Sequence, residues 1–209
     1  MKVAIVGGTG AFGRALAERL RDLGYDVAVG SRDHQRGWER GVELGVRGGS
    51  NEEIVGDADL VVLAVKSNAA IDTARGLADA IGDTPVLCVA SDLLFTENGV
   101  SPGRGEQSLA EELAEVISAP VASGLQSVSA VELARDDEPL DQDALICGDD
   151  ERAKEPALEL CAKLVAGRAI DVGPLANSRA LEALTAVILN VNRHYHAHAG
   201  LRLTGLRDK

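Results

Sequence analysis

Short β-branched runs alternate along this chain with longer stretches of helical period. Lys2 to Val6 reads as a buried strand, and the apolar–charged alternation from about Ala11 to Leu23 reads as a helix that stops before Gly24. Tyr25 to Gly30 is a second strand. The glycine-rich stretch after it accommodates a helix through Trp38 to Leu44, a short strand at Val46-Arg47 and a helical turn or two over Asn51 to Gly56. Asp59 to Val65 is a continuous apolar run bounded by acids and by Lys66, the mark of a strand covered on both faces. A helix follows from Asn68 to about Ile81, with Ala70, Ala74, Leu77 and Ile81 on one face, and then a strand from Pro85 to Val89.

Beyond it, Ala90 to Glu106 reads as a long polar loop of the length that is usually functional. Helix Gln107 to Ile117, strand Val121 to Gly124, an exposed acidic link over Asp136 to Asp143, strand Ala144 to Cys147, helix Glu151 to Ala166 and strand Arg168 to Val172 come next. The last long helix starts near Asn177 or Ser178, one of which caps it, and runs towards His198. The alternation predicts an α/β, doubly wound, mostly parallel sheet. Residues 1–125 would form a dinucleotide-binding domain, and 126–209 a smaller C-terminal unit ending in the long helix.

Composition adds constraints rather than a function. The 209 residues are 45% hydrophobic and 26% charged, so one large domain or one with an appendage can bury a real core. Aromatic residues make up only 2%, which leaves the core to aliphatic side chains. A net charge of -12 argues against nucleic-acid binding, which needs basic patches. No run of 18 apolar residues exists to span a membrane, and the chain enters its first strand without a signal peptide. Cys88, Cys147 and Cys161 are odd in number and widely separated, as expected of free buried thiols in a reducing cytoplasm rather than a metal site.

The chemistry starts at Gly8-Thr9-Gly10-Ala11-Phe12-Gly13, between the first strand and its helix. Glycines at this spacing make the tight turn, let the backbone approach a pyrophosphate, and let helix and strand pack closely. The helix N-terminus then faces the phosphates. With a second strand at βαβ distance, the pattern predicts a Rossmann nucleotide site. Strand two delivers Ser31 and Arg32 where NAD enzymes place an acid, and Arg36 lies one turn on. A hydroxyl and guanidinium groups there suit a 2′-phosphate, and hence NADP.

The ordered series Cys147-Gly148-Asp149-Asp150, Asp171 to Arg179, Glu182-Ala183-Leu184-Thr185 and Ile188-Leu189-Asn190, taken with Gly7-Gly8-Thr9-Gly10 and Val29-Gly30-Ser31-Arg32, closely resembles the NADP oxidoreductases that use the deazaflavin coenzyme F420. The resemblance spans nearly the whole chain. It implies direct hydride exchange between NADP(H) and an 8-hydroxy-5-deazaflavin, with no catalytic side chain and no metal. It implies that Thr9, Gly10, Ala11 and Phe12 line the pyrophosphate and that Ser31, Arg32 and Arg36 hold the 2′-phosphate. Val65 and Ala130 would lie beside the nicotinamide, and Gln126, Arg179 and Thr185 would face the deazaflavin. It also implies a homodimer packed through the final helix, with small redox coenzymes as the partners.

Three departures fall on the hydride-acceptor side: Gln126 where the family often has His, Ala183 where a Ser can stand, and Lys66-Ser67 in place of a Pro and an aromatic residue. They leave open an NADP(H)-binding sensor without turnover, or an NADPH-dependent reductase of another acceptor. Two further readings fail. Neither Tyr25 nor Tyr195 is followed four residues later by the Lys that a short-chain dehydrogenase needs. His194 and His198 sit at i, i+4, yet lack the flanking Glu of a zinc hydrolase.

Overall fold

The computed structural model describes residues 1–103, 105–135 and 138–206. In chain order the first half contains β1 (Lys2–Val6), α1 (Ala11–Asp22), β2 (Asp26–Ser31), α2 (His34–Leu44), β3 (Arg47–Ser50), α3 (Asn51–Val55), β4 (Leu60–Leu63), α4 (Ser67–Ile81) and β5 (Val86–Cys88). The second half contains β6 (Leu93–Thr96), β7 (Gly99–Pro102), α5 (Leu109–Val116), β8 (Val121–Gly124), α6 (Ala130–Leu133), β9 (Ala144–Gly148), α7 (Glu151–Leu164), β10 (Ala169–Asp171) and, after a 3-10 turn at Leu175–Asn177, α8 (Ser178–Tyr195).

Eight strands form one sheet in the order β10-β9-β8-β5-β4-β1-β2-β3. Every pairing is parallel except β8 with β9. β9 and β10, which follow residue 126, extend the same sheet at its edge. In register, Val3 lies between Val27 and Leu60, and Val6 between Gly30 and Leu63. Alternate residues of β1 feed two cores. Val3 and Ile5 pack with Leu16 and Leu20 of α1 and with Leu160 of α7. Ala4 and Val6 pack with Ala70 and Ala74 of α4 and with Leu113 of α5. The chain reverses direction across the sheet between β1 and β4, and a crevice opens there at the carboxyl ends of the strands.

Four expectations need correction. The stretch 90–106 contains an antiparallel hairpin, β6 with β7, in which Phe95 pairs with Val100; its polar residues hid a two-stranded pairing. α2 begins four residues early, at His34, because Asp33 caps it by accepting the amide of Arg36 at 2.7 Å. β3 runs through Gly48 and Gly49 rather than Val46-Arg47, because these glycines let α2 lie on the strand. A Cβ at Gly37 would stand 1.9 Å from the carbonyl oxygen of Gly49. The acidic link is not exposed throughout. Leu140, Gln142 and Asp143 are buried, while Asp136 and Asp137 lie outside the described residues. Asp143 accepts the amides of Arg168 and Leu203, each at 2.8 Å, and the Arg168 guanidinium at 3.1 Å.

The final helix also differs at both ends. Neither Asn177 nor Ser178 caps it with a side chain. Asn177 donates its amide to the Val172 carbonyl, and the buried Ser178 hydroxyl meets that of Ser108. The helix stops at Tyr195 because His196 turns left-handed, φ 53°, so His194 and His198 no longer share a helical face.

Candidate functional site

The glycine turn divides its labour unequally. Gly7, which precedes the Gly8-x-Gly10-x-x-Gly13 spacing, carries the left-handed backbone, φ 83°. Gly8 and Gly13 are packing positions. A Cβ at Gly8 would lie 2.7 Å from the Val29 side chain, and one at Gly13 2.7 Å from the Gly7 carbonyl oxygen. Gly10 is different. It has an ordinary extended backbone, φ -77°, and the protein comes no nearer to its missing side chain than 3.4 Å. It is therefore the glycine left open to a ligand. As N-cap of α1 it offers no side-chain cap, and no acid occupies the first turn. The unpaired amides of α1 are thus left to an anion.

From this turn a groove of about 520 Å³ runs past Thr9, Ser31, Arg32 and Arg36 on one side and Val65 and Lys66 on the other. An adjoining recess of about 450 Å³ shares Ser31 and Arg32 with the groove, and also Asn51, Asn68 and Thr73, which were not singled out in the sequence as site residues. Ser31 is buried, and its hydroxyl accepts the Asp33 amide at 3.3 Å. Asp33, the acid nearest the strand tip, is committed to capping α2. The groove therefore meets guanidinium groups where a ribose-binding carboxylate would otherwise stand. Phe12 does not join this lining; its ring packs on the core formed with α1. Ala11 and Ala130 face a second recess, on the other side of Thr9 and Gly10.

At the opposite end, Gln126 follows Leu125, whose left-handed backbone, φ 67°, is costly for a residue with a side chain. Gln126 is only 6% exposed. Its amide donates to the Cys88 carbonyl at 3.1 Å and to the Ser123 hydroxyl at 2.7 Å, so its side chain points inward. The Gln126 carbonyl instead accepts the Thr185 hydroxyl at 2.9 Å, and Ser91 lies 3.3 Å from the same hydroxyl. Thr185 and Gln126 thus meet. Arg179 is elsewhere: its guanidinium donates to the carbonyls of Gly105 and Gln107, beside a cavity of about 120 Å³ that it shares with Asp92, Gly103 and Glu182.

Glu182, quoted in the sequence as part of a motif but given no role in the site, is the most perturbed carboxylate of this end. It is 5% exposed and accepts the Leu109 amide at 2.8 Å and the Asp92 amide at 3.0 Å. Burial outweighs those two donors and pushes its carboxyl up to about 7. Its only sequence signal is an acid inside an apolar helical face, between Leu181 and Leu184. The three cysteines are buried, and desolvation pushes Cys88 and Cys147 up to about 12 and Cys161 upward as well, so none is poised as a thiolate.

Among the described residues no helix is long and apolar enough to cross a membrane. The family model described as NADP oxidoreductase, coenzyme F420-dependent, matches residues 2–91. The F420-dependent NADP reductase of Methanothermobacter thermautotrophicus is 33% identical over 100% of this chain and 97% of its own. That of Methanocaldococcus jannaschii is 32% identical over 99% of both. A crystal structure from Arthrobacter sp. FB24, described as a candidate F420-dependent NADP reductase, superposes with a TM-score of 0.84 at 24% identity. It covers 99% of this chain and 100% of that one, and the likeness supports the fold. With full-length relatives at this level of identity, the chain belongs to the coenzyme F420-dependent NADP oxidoreductase family.

Proposed function

We infer that this protein is an oxidoreductase that passes reducing equivalents between NADP(H) and coenzyme F420. The family assignment supports both redox partners. The structural observation that carries the NADP half is the tip of β2, where Arg32 and Arg36 line the groove while the neighbouring Asp33 caps α2. The groove fits a dinucleotide: uncapped amides at α1, an open Gly10 and two guanidinium groups answer the charges of a pyrophosphate and a 2′-phosphate.

The two coenzymes carry the redox chemistry, a hydride passed directly between nicotinamide and deazaflavin rings. The chain's contribution is to bind, align and dry the two rings. Thr9, Gly10 and Ala11 hold the phosphates by their backbone, with Gly8 and Gly13 shaping the turn and Phe12 anchoring α1 from below. Ser31, Arg32 and Arg36 select the phosphorylated ribose. Val65 and Ala130 flank the nicotinamide end. Thr185 fixes the loop after β8 through the Gln126 carbonyl, and Arg179 orders residues 105–107. Gln126 acts here as a structural support, because its amide is engaged inside the protein. Alignment of this kind supplies rate by removing the entropy of encounter.

The C-terminal portion, residues 126–209, completes the second-substrate site against the nucleotide-binding part, residues 1–125. The exposed Val187, Val191 and Tyr195 on successive turns of α8 fit packing against a second copy as a homodimer. The protein works in the cytoplasm, on small coenzymes and away from nucleic acid and membrane. Mixing NADPH, F420 and protein tests the reading. The nicotinamide absorbance should fall together with the deazaflavin band. NADPH binding without turnover would instead identify a sensor, and turnover with another acceptor alone would identify a different reductase.

A further inference from the structure

Beyond Thr9 and Gly10, on the side of the turn opposite Ser31 and Arg32, a recess of about 560 Å³ opens between α1, α2 and α6. Three guanidinium groups reach it from three separate elements: Arg14 from α1, Arg40 from α2, and Arg135 from just after α6. Among the described residues, two carboxylates answer them. Glu43 lies 3.8 Å from Arg14 and also pairs with Arg40, while Glu132 lies 3.6 Å from Arg135. The Arg40 Nε has no hydrogen-bond partner among the described residues. Gathering three like charges costs energy, and here three guanidiniums share two carboxylates in a chain whose net charge is -12. The surplus of positive charge lines the same recess as Ala130 and meets the groove at Thr9 and Gly10, which both cavities share.

We propose that this recess is the binding site for the anionic side chain of the deazaflavin, its phosphodiester and glutamyl carboxylates, while the ring lies over the nicotinamide. The proposal rests on the reading that F420 is the second coenzyme. Its volume exceeds what one phosphate needs and suits an extended chain of charges. The three arginines also resolve an electrostatic conflict, since they give an oligoanionic coenzyme a local foothold on an acidic protein. Because the recess is open to solvent, the attraction is screened by salt.

The test compares F420 with 8-hydroxy-5-deazariboflavin, which has the same ring and lacks phosphate and glutamates. The intact protein and the variants Arg135→Gln and Arg40→Gln/Arg135→Gln are assayed with NADPH in excess. The double variant should raise KM for F420 about tenfold, the order expected for two partly screened ion pairs. KM for the tail-less analogue and for NADPH should stay within twofold of the intact protein. The F420 preference over the analogue should also shrink as salt rises in the intact protein and stay flat in the double variant. Equal changes with both deazaflavins, no change with either, or a rise confined to NADPH would overturn the assignment. If the intact protein turns over neither deazaflavin, the functional reading itself falls and takes this proposal with it. Arg135→Gln alone, at an exposed position after α6, gives the same selectivity test should the double variant fold poorly.

Discussion

The Thr185 hydroxyl donates to the Gln126 carbonyl at 2.9 Å, tying the final helix to the loop that leaves β8. The preceding residue, Leu125, sits buried in a left-handed conformation, so the loop is held in a shape it would not choose alone. Thr185→Val keeps the side-chain shape and removes the donor. A part-buried hydrogen bond is worth about 1 kcal/mol, so KM for F420 should rise roughly fivefold while KM for NADPH stays unchanged. Steady-state kinetics with each substrate varied in turn checks this; an equal effect on both would make Thr185 a general stability residue.

Glu182 makes the second link between α8 and the rest of the site. Its folded pKa is raised, to about 7, chiefly by burial. The folded state therefore binds a proton that the unfolded chain has already lost above its ordinary carboxylate value. Stability from this group is full at low pH and declines as pH rises to about 7, then levels off. Denaturant melts of the intact protein and Glu182→Gln across pH 4.5 to 8 should show their stability difference moving against the intact protein up to neutrality. A pH-independent difference would contradict the assignment.

Under the proposed function, cofactor choice rests on the β2 tip. Arg32→Glu should lower affinity for NADP by about one to two decades, the worth of a charge-assisted hydrogen bond, and favour NAD. Calorimetric titration of both nucleotides measures it. Unchanged NADP affinity would remove Arg32 from the 2′-phosphate site.

The glycine turn separates binding from folding. A Cβ at Gly10 would meet only the Gly7 carbonyl oxygen, at 3.4 Å, so the Tm of Gly10→Val should stay close to that of the unsubstituted protein while NADPH binding disappears. Gly13→Val collides with the Gly7 carbonyl and the Gly8 backbone and should lower Tm sharply. Retained NADPH binding by Gly10→Val, or equal melting of the two variants, would refute this division.

Asp143 anchors the distal edge of the sheet to the C-terminal residues. Burial alone would raise its carboxyl, yet the amides of Leu203 and Arg168 and the Arg168 guanidinium hold it below the ordinary value. Its contribution is present above the unfolded carboxylate pKa and is lost as pH falls through the lower folded value. Asp143→Asn should cost about 3 kcal/mol, the low end for a buried pair because Arg168 is 36% exposed. A thermal melt at neutral pH tests the size, and melts at pH falling below the ordinary carboxylate value should show the two proteins converging.

The parallel core was legible because β1 and β4 are short apolar runs and α1 and α4 keep a helical period. The glycine turn and the β2 tip were legible because their spacing is local. What escaped was set by distant contacts. Gly48 and Gly49 look like loop residues until α2 is laid against them. The β6–β7 hairpin has half-exposed strands without clean alternation. Glu182 takes its character from partners dozens of residues away, and Arg179 and Thr185, close in sequence on one helix, serve different loops.

The most direct test of ring-to-ring transfer uses NADPH dideuterated at C4 of the nicotinamide, with F420 as acceptor in ordinary water. Direct transfer predicts that mass spectrometry of the reduced F420 finds one deuterium in each molecule. Reduced F420 that carries only hydrogen from the solvent would contradict it.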